Sequence, residues 1–385
     1  MLCIVVACSK EQVPDDVQSG ALSNQTDSIA TTDTLVNEVD TAVFAVTDST
    51  ITLKRSEFPQ PGGRVVNVMI TGVDSRLGDY GAHADANHLV RFFLDSAMVE
   101  IISIPRDTYA DAGFDDTTNL NKLANVRAVK GRHAYLAAVS EITGVSPINH
   151  WVEFGFSQAV GLLEMLGYKD NATSTLRVLR SRQAYKAGDF QRSYNQGRFI
   201  RSALLKRMAD GTSFVNSIAL RAGLMMVETN LTYDVCSGIV DQMNSHGFDA
   251  SPKRVWVRLE PQVLLRVQAF EFDSSNIIAL DKQIEQRVAH LLKDSSKILP
   301  SSYEHQLDKL IRKADSTRKG GAVVRLLRRP YEQRAWLQVT DHARRSVYRE
   351  RLCGRLEQAY RSIGNVKQAN AVKQYAEEER KALGQ

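Results

Sequence analysis

Aspartates and arginines stand at the ends of apolar runs in this chain, in a pattern suited to handling a phosphate. Asp74 and Arg76 close the run VVNVMITGVD in the segment GVDSR, Asp85 follows in AHADAN, and Arg106 with Asp107 closes MVEIISIP in SIPRDTY. A second group lies in RVLRSRQAYKAGDFQRSYNQGRF (177–199): Arg180 and Arg182, then Asp189 and Arg192, with Gln196 four residues after Arg192 on the same helix face. The guanidinium fork matches phosphate oxygens two at a time, and a helix start adds its dipole. Aspartates beside such arginines suit Mg²⁺, a hard cation that shares its oxygen ligands with phosphates. The bland alternative is a set of first solvated positions after buried strands, or an internal salt-bridge network.

The elements that must position these residues can be read from periodicity. VVNVMITGVD (65–74), HLVRFFLD (88–95) and MVEIISIP (98–105) read as buried strands, the last two joined by the tight link Asp95-Ser96-Ala97. HWVEF (150–154) and TLRVLR (175–180) read as short strands, so that Arg180 and Arg182 would share one side of a strand end. Residues 133–143, 156–167 and 196–208 read as amphipathic helices, with Asp189 and Arg192 just ahead of the last. Strands interleaved with helices predict a layered α/β domain over 64–275, and ligands in such sheets bind outside the carboxyl ends of strands.

Several chemistries are excluded. There is no GxxxxGK[ST] phosphate loop, no GxSxG elbow and no HExxH pair. Four cysteines, at 3, 8, 236 and 353, form no CxxC pair and no disulfide-rich scaffold. Cys236 and Cys353 could be free or bridged. The eight histidines do not pair at metal-ligand spacing and read as surface or satisfied core residues.

Taken in order, GVDSR, Asp85, IISIPRDTY, NLNKLANV (119–126), INHWVEFGFSQAVGLLEMLGY (148–168), RSR (180–182) and DFQRSYNQ (189–196) resemble the LytR-CpsA-Psr family over about 65–270. The resemblance implies a three-layer α/β/α sandwich with a mixed central sheet, displayed outside the cytoplasmic membrane. It implies transfer of a glycopolymer from a polyprenyl-pyrophosphate carrier to a cell-wall or envelope sugar hydroxyl, by phosphodiester formation and with Mg²⁺. By position, Asp74 and Asp85 match the metal-associated aspartates. Arg106, Lys122, Arg180, Arg182, Arg192 and Gln196 match the pyrophosphate-binding set. Asp74, Arg106, Asp189 and Arg192 are the catalytic candidates, with Asp74 or Asp189 as the base for the attacking hydroxyl. The chain departs from the family pattern at His83 and Asn195, which stand for arginines, at Ala86, which stands for a threonine, and at Leu123-Ala124, which stand for Ile-Asn. Those departures keep two alternatives in view: a polyprenyl-phosphate binding module without turnover, and a polyprenyl-pyrophosphate pyrophosphatase.

The ends of the chain have their own characters. A short apolar run, Leu2 to Ala7, precedes Cys8 as in a bacterial lipoprotein signal, and its shortness implies a start upstream of Met1. Residues 1–8 are therefore read as a partial lipoprotein signal with lipid on Cys8. Residues 9–63 read as a flexible tether: from Ser9 to Thr50 only Lys10 is basic among eight acidic residues. The expected location is the extracytoplasmic face of a membrane, in the cell envelope. Residues 276–385 form a basic helical region, with 19 Lys+Arg against 10 Asp+Glu from 301 onward. Within it, 333–382 resembles one tetratricopeptide-like hairpin broken at Ser362-Ile363-Gly364-Asn365. It reads as a solvated appendage first and as a surface for a protein partner second.

The whole-chain balance, 49 Lys+Arg against 44 Asp+Glu in 385 residues, is too mild to point to nucleic acid. With 43% hydrophobic residues the chain is globular, and no run of about 18 apolar residues offers a membrane span.

Overall fold

The computed structural model of the chain describes residues 50–53, 58, 60–75, 77, 82–168, 171–181, 188–209, 217–249, 251–268, 272, 274–292 and 301–382. Cys8 and the lipoprotein signal, most of the tether, Arg76 and Arg182 lie outside the described residues.

A six-stranded mixed sheet forms the centre. Its strands are β2 (Val65–Val73), β3 (Ala84–Phe93), β4 (Met98–Ser103), β5 (His150–Phe154), β6 (Glu228–Thr229) and β7 (Val255–Leu259), in the order β6-β5-β2-β3-β4-β7. β5 runs parallel to β2 and β7 parallel to β4, while the other pairs are antiparallel. β2 is a continuous apolar run because the sheet is covered on both sides. Alternation sends Val68 and Ile70 into one core and Met69 into the other. In β3, Val90 and Phe92 join the first core and Leu89 the second.

The second face is covered by α1 (Leu123–Val129) and α2 (Gly131–Thr143), which contribute Leu123, Val126, Tyr135 and Val139. The first face is covered by α3 (Phe156–Met165), α4 (Ala172–Arg180), α5 (Gly188–Ala209), α6 (Ser217–Met226) and α7 (Tyr233–Ser245). The result is the expected three-layer α/β/α sandwich. α5 lies close against β4 and β7: a Cβ on Gly197 would run into Ser103 Oγ and stand 2.8 Å from Val257 Cγ1.

Three sequence expectations change here. TLRVLR is not a strand but the end of α4. Ala172, Thr175, Leu176 and Leu179 are buried positions that recur at helical spacing. α5 begins at Gly188, eight residues ahead of the expected 196, so Asp189 and Arg192 sit inside its first turns. Order also begins before Arg64: β1 (Thr50–Leu53), inside the stretch read as tether, pairs antiparallel with β8 (Leu265–Gln268), and Phe58 packs on Phe93 and Trp256 with ring centroids 5.2 and 5.6 Å apart.

After α8 (Ser274–Leu292) the chain forms α9 (Ser301–Ser316), α10 (Gly320–Glu332), a 3-10 turn at Ala335–Gln338, α11 (His342–Ser362) and α12 (Val366–Ala382). The expected break at 362–365 separates α11 from α12. These helices are not solvated on all sides. Trp336, Leu337 and Leu352 are fully buried in the same core as α3. A Cβ on Gly161 of α3 would stand 2.7 Å from Met226 Sδ and 2.8 Å from Leu337 Cδ1, so glycine permits this close approach. Arg345 Nη2 donates to Glu164 Oε1 at 2.8 Å, with both side chains buried. Of the two cysteines left open by sequence, Cys353 is a free buried thiol and Cys236 is not free. Among the described residues, no helix is long and apolar enough to cross a membrane.

Candidate active site

A cavity of about 150 Å³ opens between the sheet and α3, α4 and α5, at the carboxyl ends of β2 and β5. Its interior is hydrocarbon: Ile70 from β2, Leu162 and Leu163 from α3, Leu176 and Leu179 from α4, and Phe199, Ile200 and Ala203 from α5. Its lining turns polar at Asp85, Arg180, Arg192 and Gln196. The same three helices that close the core thus leave an apolar pocket whose charged lining is arginine and carboxylate.

The charged residues form one network. Arg106 Nη1 pairs with Asp85 Oδ1, and Arg180 Nη2 stands 3.4 Å from Asp85 Oδ2. Arg192 Nη2 pairs with Asp189 Oδ1 and donates to the Asp85 carbonyl at 3.3 Å. The Arg106 backbone N–H donates to Asp189 Oδ2 at 3.1 Å. Arg192 is buried at 4% exposure and Asp189 at 13%, so this pair is shielded from the water that weakens surface ion pairs. The Arg180 guanidinium also lies over the Phe156 ring, 5.1 Å from its centroid. Lys122 joins one step away, 3.5 Å from Asp107, which in turn lies 3.6 Å from Arg106 Nε.

Asp74 stands apart from this ring. Its Oδ1 accepts the His83 backbone N–H at 3.0 Å and its Oδ2 lies 3.2 Å from His83 Nδ1. His83 therefore occupies the Asp74 carboxylate. Of the other departures from the family pattern, Ala86 lines the cavity, whereas Asn195 is buried beside it without lining it, and neither side-chain atom of Asn195 finds a hydrogen-bond partner among the described residues.

The structure brings together Asp85, Arg106, Arg180, Asp189, Arg192 and Gln196, with Lys122 attached through Asp107. Gln196 is a strut rather than an open donor: its Nε2 donates to the Leu179 carbonyl at 2.8 Å, tying α5 to α4. Sequence reasoning passed over His88 and Ser103. His88 Nδ1 lies 3.0 Å from Ser103 Oγ, its Nε2 lies 3.3 Å from Gln196 Oε1, and burial pushes its imidazole down to about 4. It is a neutral, satisfied core histidine at the cavity wall. Its period-2 placement with Val90 and Phe92 is the signal that puts it on this face. Of the three helices read as amphipathic, the one at 133–143 (α2) lies on the opposite side of the sheet, while α3 and α5 line the cavity.

Among the described residues no group of three or more His, Cys, Asp or Glu gathers as a metal cage. The two aspartates are still oxygen donors of the kind Mg²⁺ takes, and Mg²⁺ bound with phosphates needs only one or two carboxylates.

A model of the LytR_cpsA_psr family matches residues 28–167. The chain is thus similar to the LytR-CpsA-Psr family over little more than a third of its length. The matched stretch ends before α4 and α5, so Arg180, Asp189, Arg192 and Gln196 lie beyond it and are brought to the site by the fold. No curated protein matches the chain in sequence. Among solved structures, TagV of B. subtilis is 19% identical, covering 58% of this chain and 96% of its own, with a TM-score of 0.39. Lin1025 of Listeria innocua is 17% identical, covering 58% and 98%, with a TM-score of 0.38. TagT, described as bound to LIIa-WTA, is 18% identical, covering 62% and 96%, also with a TM-score of 0.38.

Proposed function

We propose that the chain transfers a glycopolymer from a polyprenyl-pyrophosphate carrier to an envelope sugar hydroxyl. One observation carries the reading: an apolar cavity whose charged lining is arginine and aspartate fits an amphiphile with a hydrocarbon tail and a phosphate head. In the reaction the hydroxyl oxygen bonds to the phosphorus that bears the polymer. The bond from that phosphorus to the bridging oxygen breaks, polyprenyl monophosphate leaves with the electron pair, and the hydroxyl proton passes to a carboxylate. Asp74 suits this last role better than Asp189: its side chain is 27% exposed against 13%, and its partner is the exposed His83 side chain rather than a buried arginine. Phosphoryl transfer is mostly positioning and charge neutralisation, and that is what Arg106, Arg180 and Arg192 supply.

Mg²⁺ belongs to this proposal on charge grounds. Arg106, Lys122, Arg180 and Arg192 exceed the carboxylates of their network, Asp85, Asp107 and Asp189, by a single charge. A dianionic pyrophosphate diester entering that network leaves it negative and needs added positive charge. Asp85 and Asp74 would hold the ion, which offsets charge on the phosphate oxygens. Lipid on Cys8 would keep the domain at the membrane where such a carrier resides.

The second reading, a binder without turnover, is favoured by one feature: His83 holds the carboxylate that would take the proton. Release of polyprenyl monophosphate from a glycan-linked donor in Mg²⁺ separates the readings. Glycan on a sugar acceptor supports the transferase, glycan on water supports the pyrophosphatase, and lipid binding without release supports the binder.

A further inference from the structure

A second cavity, of about 130 Å³, lies beside the first. Both are lined by Val73, Phe154 and Gly155, so they meet at the carboxyl ends of β2 and β5. Its character is the opposite of its neighbour's. Ser75, Arg127 and Glu153 line it from the sheet side, and Arg329, Glu332 and Gln333 line it from α10 and the residue that follows. The C-terminal helices therefore complete a cavity that the α/β domain leaves open.

We infer that this cavity binds the sugar acceptor, which rests on the transferase reading above. The lining offers fixed donors and acceptors at short range, as a hydroxyl-rich ligand needs. Glu153 is 7% exposed and is held by Arg127 Nε and Nη2 at 2.7 and 2.6 Å. Gln333 Nε2 donates to Ser75 Oγ at 2.7 Å, across the junction between the helices and the sheet. A hydrocarbon tail would meet charged and amide side chains here instead of an apolar wall. An anion would face Glu153, Glu228 and Glu332, three carboxylates against the two arginines of the lining. A neutral polyol meets neither objection.

Chain continuity supplies the link to the reaction. Val73 lines both cavities, Ser75 lines only the second, and Asp74 lies between them in sequence. A hydroxyl held at Ser75 is then one residue along the chain from the proposed base. The basic C-terminal helices acquire a role: one wall of acceptor recognition.

Arg329 and Glu332 are exposed on α10, so Arg329→Ala/Glu332→Ala leaves the buried core untouched. The test titrates a β-1,4-linked N-acetylglucosamine tetramer into the full chain by calorimetry, and Mg²⁺-pyrophosphate in parallel, with circular dichroism as the check on folding. The wild type binds the tetramer, and the double variant binds it about tenfold or more weakly, as expected from losing one or two polar contacts of ~1 kcal/mol each. Its pyrophosphate affinity stays at the wild-type level. A wild type that does not bind the tetramer, or a double variant that binds it equally well, overturns the inference. Tetramer binding without any glycan transfer leaves the subsite standing and removes the transferase reading instead.

Discussion

Replacing Ala203 by phenylalanine tests whether the apolar cavity is the tail site. Ala203 is 8% exposed and lines the cavity from α5. At about 150 Å³ the space is of the size that accepts a benzene molecule, so a phenyl ring built from position 203 would occupy it. Filling an empty apolar space stabilises by up to ~1.5–3 kcal/mol, and an imperfect fit costs ~1–3 kcal/mol, so the midpoint of thermal unfolding moves only a few degrees. The effect on lipid is far larger. Excluding about five hydrocarbon carbons forfeits ~4 kcal/mol at ~0.8 kcal/mol per methylene, close to a thousandfold in Kd. The assay compares a polyprenyl pyrophosphate with Mg²⁺-pyrophosphate alone, by calorimetry on folded protein. The expected result is loss of lipid affinity with headgroup affinity retained. Lipid affinity in Ala203→Phe within about threefold of the wild type would refute the assignment of the cavity to the tail.

The arginine network makes the complementary prediction: Arg106→Ala or Arg192→Ala weakens Mg²⁺-pyrophosphate binding by ~10–100-fold, as expected for charge-assisted contacts, and unchanged affinity in both would make these arginines structural. Arg192→Ala also takes that ion pair from the partly buried Asp189, so stability falls by ~1–3 kcal/mol, read from denaturant midpoints. His88 predicts a pH effect of definite sign. Its folded value, about 4, lies below the usual 6.5, so the unfolded chain takes up the proton first and stability falls as pH drops from ~6.5 towards 4, by about 3 kcal/mol in all. His88→Gln should flatten that slope, and an unaltered slope would show that other groups set it. Gly197→Ala should destabilise by ~1–3 kcal/mol, because its methyl meets Ser103 and Val257, and a neutral result would show that α5 can lift off the sheet at no cost.

Much of the site was legible because its residues end strands. VVNVMITGVD and MVEIISIP are buried on both faces, so their boundaries are sharp, and Asp74 and Arg106 fall where chemistry can reach them. α4 was misread because the six residues of TLRVLR are too short a window to show the helical recurrence that begins at Ala172. The start of α5 was missed because Gly188 to Gln191 carries no apolar stripe, only the acidic first turn that suits a helix N-terminus. The cavity itself could not be read from sequence. Leu163, Leu179 and Phe199 look like core residues in any linear pattern, and only the angle between three helices decides that they leave a space. The packing of the C-terminal helices was equally hidden, since Gly161 and the buried Arg345–Glu164 pair acquire their meaning from a contact between segments 181 residues apart.

The central claim is that this fold transfers a glycan from a lipid pyrophosphate to a sugar. The most direct measurement incubates the purified full chain with a labelled glycan on polyprenyl pyrophosphate, Mg²⁺ and a sugar acceptor, and quantifies both products. The account predicts one polyprenyl monophosphate released for each glycan joined to acceptor by a phosphodiester. Lipid that binds to the chain and is never released as monophosphate, with any divalent metal, would contradict it.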